Sequence, residues 1–195
     1  MIKSDHSKYN KPVIMLYPGE WYVTNEDMLL ISVSGSCIVV TLHDRMRRIG
    51  GLGQFILPGQ IGTGGLTNDD VASYGITQIE FLIGEFVKLG GDRRDLTANV
   101  FGSAVLDTAQ RVDTRILKSN LFFIHNFFTA EKIPVDHLDI SGSMRRKIIF
   151  SPRDGRTFRK MLANNETGSE IIRLENEYIE KAFKEVREKT KYTIF

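Results

Sequence analysis

The only cysteine in the chain, Cys37, lies in the stretch SGSCIVVTLHDRMRRIGGLGQFILPG, residues 34–59. It follows Gly35-Ser36 and opens a β-branched run. A lone cysteine in that position reads as a nucleophile. A free thiol titrates near pH ~8.5, so only a few per cent is thiolate near neutrality. Cysteine hydrolases meet this with an adjacent imidazole, which takes the proton and later delivers it to the leaving amine. The same residue also reads as a small buried hydrophobe beside a strand.

Which residue could serve as the base follows from strand register. Ile38–Leu42 and Ile49–Leu57 read as a β-hairpin around a polar turn, Asp44–Arg48. A turn centred between Arg45 and Met46 sets Cys37 opposite Gln54. Directly opposed residues share a face, with Cβ atoms about 4.5–5.5 Å apart. Glutamine has no titratable group in this range. Gln54 could donate a hydrogen bond to a thiolate or an oxyanion, but it cannot act as general base. His43 shares a face with Cys37 but lies about 20 Å further along the strand at ~3.3 Å per residue. His125, in LFFIHNFF, and His137, in PVDHLD, could fold back toward Cys37, as could a carboxylate; ordinary core or surface roles are the alternative. His6 falls in a polar leader, residues 1–11, read as disordered.

The elements that must hold these residues alternate between strand and helix. Val13–Tyr17 and Glu20–Thr24 are extended pieces around Pro18-Gly19. Leu29–Ser34 precedes the Ser34-Gly35-Ser36 break. Pro58–Asn68 reads as a glycine-rich loop. Asp69-Asp70 can cap a helix over 71–89, with Ile76, Ile79, Leu82, Ile83, Phe86 and Val87 at helical spacing. Leu96–Phe101 is a strand, and Asp113 can cap a helix from Thr114 to Glu131. Pro134–Asp139 is a strand, and Met144–Phe150 and Arg156–Leu162 form a hairpin. The pattern predicts an α+β domain, a layered sandwich with a mixed sheet, over residues 12–163. Residues 164–195 form a helical extension with an apolar stripe through Ile171, Ile172, Leu174, Tyr178, Ile179, Ala182, Phe183 and Val186. That helix either packs on its own domain or docks on a partner.

Composition narrows the function classes. The chain has 195 residues and a net charge of +2, so no global field draws it to nucleic acid or membrane. One cysteine excludes an intrachain disulfide and any multi-cysteine zinc site. The absence of a signal-peptide pattern or an apolar span predicts a cytoplasmic protein with no membrane insertion. Basic residues cluster at Arg45, Arg47 and Arg48 and again at Arg145, Arg146, Lys147, Arg153, Arg156, Arg159 and Lys160. With no nucleic-acid motif beside them, they read as a solvated face, or as a surface for acidic helices.

Several strings in order resemble the CheD family of chemoreceptor glutamine deamidases. They are YPGEWYVT (Tyr17–Thr24), ISVSGSC (Ile31–Cys37), TLHD (Thr41–Asp44), GGLGQFILP (Gly50–Pro58), VFGSAVLD (Val100–Asp107) and IPVDHLDISGSMRRKIIFSPRDGRTFRKML (Ile133–Leu162). The resemblance covers roughly residues 12–162 and implies a cysteine-hydrolase fold shared with deamidating toxins. It implies hydrolysis of receptor glutamine amides to glutamate with release of ammonia, without metal or cofactor. The implied partners are the cytoplasmic part of chemoreceptors and a CheC-type phosphatase. Cys37 falls at the family's nucleophile, Gln54 at its histidine and Ile31 at its threonine. Gly35 and Ser36 are kept, so backbone N–H groups near Cys37 could form an oxyanion hole. Two expectations follow: a deamidase with a relocated base, or an inactive binding module on the same scaffold.

Overall fold

The strand that carries Cys37 at its head is buried on both faces, which explains its unbroken apolar run. In the computed structural model, residues 2–4, 9–57, 75–106, 114–163 and 167–190 are described. The strands are β1 (Ile2–Ser4), β2 (Val13–Leu16), β3 (Trp21–Thr24), β4 (Leu29–Ser34) and β5 (Ile38–Asp44). They continue with β6 (Ile49–Phe55), β7 (Leu96–Gly102), β8 (Val135–Ile140), β9 (Arg145–Phe150) and β10 (Thr157–Leu162). The helices are α1 (Gly75–Lys88), α2 (Thr114–Ala130) and α3 (Ser169–Thr190), with a short 3₁₀ turn at Arg93–Asp95.

The fold is α+β, with two mixed five-stranded sheets, β1-β2-β4-β9-β10 and β3-β6-β5-β7-β8. Each contains one parallel pair, β2 with β4 and β7 with β8. The sheets stack through Ile14, Leu16, Leu30, Ile148 and Phe150 of the first and Val39, Leu52 and Phe101 of the second. On its other face the second sheet turns Ile38, Val40, Leu42 and Val100 against Leu82 and Phe86 of α1 and Ile124 and Phe128 of α2. Period-two alternation thus sends Val39 to one layer and Val40 to the other. The close approach of α1 depends on missing side chains. A Cβ at Gly51 would meet Val23 at 2.8 Å and Leu82 at 3.1 Å, and one at Gly53 would meet the Gln78 amide at 2.7 Å.

Two details depart from the sequence expectations, and others fall outside the described residues. The leader contributes a strand, since Ile2–Ser4 pairs antiparallel with Val13–Met15; His6 lies outside the described residues. So do the glycine loop at 58–68 and both proposed helix caps, Asp69-Asp70 and Asp113. The β5–β6 hairpin is shifted by two residues: Asp44 pairs with Ile49 and Val39 with Gln54. The cause is the turn. Asp44 Oδ1 accepts the Arg47 N–H at 2.9 Å, and Arg48 takes φ 57°, so the loop closes over four residues centred between Met46 and Arg47. A shift of two preserves parity, so Cys37 and Gln54 remain on one face as diagonal neighbours.

Candidate functional site

Cys37 sits on the turn between β4 and β5 and is fully buried. Its backbone is fastened from two sides. Ser34 Oγ donates to the Cys37 carbonyl at 2.5 Å, and the Ser103 N–H donates to it at 2.9 Å. The Ala104 N–H donates to the Gly35 carbonyl at 2.9 Å. The segment after β7 can approach this closely because Gly102 takes φ 109° and has no Cβ to strike the Cys37 carbonyl. Ser36 is buried within the same turn.

Gln54 is fully buried and faces the first sheet. Its Oε1 accepts from Ser32 Oγ at 2.6 Å, and its Nε2 donates to the Val33 carbonyl at 3.3 Å. It also acts on the Cys37 thiol in the direction of the thiolate. The hydroxyl in this arrangement is Ser32. Ile31, which the sequence resemblance set at a threonine position, is buried on β4 between Met15 and Ile149. Strand alternation turns its side chain away from Gln54. The hydroxyl that meets Gln54 thus comes from the neighbouring residue, and the alternation in LLISVS was the available signal.

The element that closes the site is α3. Its Ile179 and Ala182 pack with Cys37, Ile56 and Leu57, flanked by Tyr178. From the same helix Glu175, 1% exposed, reaches the turn. Its Oε1 accepts the N–H of Gly35 at 2.8 Å and that of Cys37 at 3.4 Å. Its Oε2 pairs with Arg145 of β9 at 3.3 Å, and Arg145 Nε has no partner among the described residues. The two N–H groups converge on one oxygen, as the donors of an oxyanion hole do, with the Gly35 contact close and the Cys37 contact longer. Burial pushes the Cys37 thiol well above its ordinary value, and the Glu175 carboxylate adds to this; the Gln54 hydrogen bond and the Arg145 charge oppose it. Neither Glu175 nor Arg145 was singled out as a site residue. The signal for Glu175 was its place in the apolar stripe, four residues after Ile171 and four before Ile179.

The histidines lie elsewhere. His125 is exposed on α2. His137 is exposed on β8, its ring 5.5 Å from that of Phe101. His43 is packed against Gly155, lining a hollow shared with His137 and Arg159. The basic clusters are solvated for the most part, with Arg45, Arg47, Arg48, Arg153, Arg156, Arg159 and Lys160 exposed, but two members depart from that face. Arg145 and Arg146 are buried, Arg146 and Arg159 both grip Asp139, and Arg47 is held by Asp44 and Asp95. Part of the charge clustered in sequence is thus paired with carboxylates within the fold.

Two backbone N–H groups converging beside a buried cysteine form a cradle of the kind that can hold a carbonyl oxygen. Residues 56–161 match the family model described as CheD chemotactic sensory transduction, and the chain belongs to that family. The matched segment begins just after Gln54. Over 154 residues, 79% of this chain, it is 36% identical to the "Probable chemoreceptor glutamine deamidase CheD" of Burkholderia vietnamiensis (strain G4 / LMG 22486) and covers 62% of that protein. The same identity holds for the protein of that description from Paraburkholderia xenovorans (strain LB400), of which 61% is covered. The chain thus spans about three fifths of the length of these curated relatives. Among solved structures, it is similar to the Bacillus licheniformis hypothetical protein YfiH at a TM-score of 0.39 and 10% identity, covering 63% of this chain and 50% of that one.

Proposed function

We propose that this chain binds the glutamine-bearing helices of chemoreceptors at the Cys37 turn and has lost most of the deamidation chemistry of its family. The observation that carries this is Gln54. By the family resemblance it stands where a base would act on Cys37, and its side chain is held by Ser32 and Val33. Cys37 is meanwhile held as a neutral thiol by burial and by Glu175. A carboxylate beside a thiol favours the protonated form, so Glu175 does not replace the imidazole. Losing a positioned base costs on the order of 10²–10⁴ in rate.

The retained cradle supports a second reading, a slow deamidase. In that reaction Cys37 Sγ attacks the side-chain amide carbon and the Gly35 and Cys37 N–H groups hold the oxyanion. Ammonia leaves with the proton, and water hydrolyses the thioester to glutamate. The natural partner is the cytoplasmic part of a chemoreceptor, and a CheC-type phosphatase is a second candidate for the same surface. A cytoplasmic location follows from such a partner.

The test is mass spectrometry of a receptor cytoplasmic fragment incubated with the native chain, Cys37→Ala and Gln54→His, alongside a pull-down of the same fragment. The binding reading expects capture by the native chain without conversion of glutamine, and conversion by Gln54→His. Rapid conversion by the native chain, abolished in Cys37→Ala, would establish the deamidase instead. Absence of both capture and conversion would defeat both readings.

A further inference from the structure

We propose that α3 is a tethered substrate mimic: Glu175 occupies the amide cradle that a target helix's glutamine side chain would enter, so a target gains the site only when α3 leaves. This deepens the function proposed above and rests on it. Glutamate and glutamine differ at one terminal atom, and glutamate is what deamidation of glutamine leaves. Glu175 presents such a side chain from a helix. One of its oxygens lies on the Gly35 and Cys37 N–H groups, where the reacting carbonyl oxygen would lie. Gly35 admits it closely, since a Cβ there would lie 2.9 Å from the carboxylate.

The placement is not what a simple covering helix requires. Ile179 and Ala182 already close the apolar surface around Cys37. A carboxylate in the same stripe is costly to bury unless its acceptors are filled, and this one takes two backbone donors and one guanidinium. The receiving side is therefore a built carboxylate or amide receptacle, and the unpartnered Arg145 Nε leaves a further donor within it. Because α3 belongs to the same chain, its local concentration is high, and an outside helix binds with an affinity reduced by the fraction of time the site is open.

The experiment uses the full chain and two substitutions. Glu175→Ala removes the mimic. Ala182→Arg places a long charged side chain at a fully buried position, undocking α3 while leaving Gly35, Cys37, Arg145 and Glu175 unchanged. Circular dichroism and thermal melting confirm that each variant keeps the fold. Two readouts follow: alkylation of Cys37 by iodoacetamide, read by intact mass, and the Kd for a receptor cytoplasmic fragment. The expected result is slow alkylation of the native chain and at least ~10-fold faster alkylation of a folded variant, with fragment binding tightened to a similar degree. A peptide of residues 169–190 should slow alkylation of the Ala182→Arg protein, and the same peptide with Glu175→Ala should not. Unchanged alkylation in both folded variants, with the fragment bound equally by all three proteins, overturns the mimic and leaves the receptor-binding function standing. Faster alkylation with peptide protection, but no fragment binding by any form, keeps the tethered cover and removes the receptor reading.

Discussion

A buried thiol that stays protonated ties Cys37 to the alkaline stability of the fold. Its folded pKa is raised, so its contribution is complete below the unfolded value, about 8.5, and is lost as pH rises toward the folded value. Between the two values the unfolded chain releases a proton that the folded chain retains. Urea denaturation at pH 8 and pH 10.5 should therefore show a larger alkaline loss in the native chain than in Cys37→Ser, which has no proton to lose in this range. At Ser32 the expectation concerns hydrogen bonding. Ser32→Ala leaves the buried Gln54 Oε1 without its donor, at a cost of about 1–3 kcal/mol in urea unfolding. The strings GSC and GQF were enough to put Cys37 and Gln54 on one face of a hairpin, and they remain there as diagonal neighbours. Ser32 was not legible in the same way, because the family pattern pointed at Ile31 and only alternation along β4 separates the two. Glu175 lies 138 residues from Cys37, and local spacing carries no information about such a pairing.

Among the elements, the strands and helices were legible because each has a clear period bounded by turn residues. The failure was the β5–β6 register, which depended on a side chain, Asp44, reaching back to an N–H in its own turn. Register belongs to turn chemistry more than to strand sequence. The segment after β7 gives a sharper prediction. Gly102 combines a left-handed φ of 109° with direct approach to the Cys37 carbonyl. Gly102→Ala should destabilise by more than about 1 kcal/mol and should weaken hydrogen-exchange protection at Ser103, whose N–H is fixed to that carbonyl. An exchange map unchanged at Ser103 would separate the turn from its support.

At the scale of the molecule, the Arg145–Glu175 pair joins the first sheet to α3 with both side chains nearly fully buried. Arg145→Ala should cost about 3–5 kcal/mol, because it strands a buried carboxylate. Replacing both members by apolar residues of similar volume should recover much of that loss, a double-mutant cycle that measures the coupling directly. Sequence spoke for a helix at 164–195 but left open whether it packs at home. The structure places it against Cys37, because its apolar stripe matches the surface left by Ile56 and Leu57. The basic clusters show the opposite limit of sequence reading. Arginines adjacent in the chain found separate carboxylates in space, and a count of charges could not anticipate those partners.

The bare backbone of β6 bears on how this protein could be engineered or drift. Exchanging glycine for alanine in regular structure is a common route to thermostability, since it stiffens the unfolded chain. Here that route is closed along one strand, where a single methyl at Gly51 or Gly53 would run into Val23, Leu82 or Gln78. Laboratory selection for heat tolerance should leave IGGLGQF untouched and collect its changes on exposed helical positions such as Gly84, where an added methyl meets nothing within 4 Å.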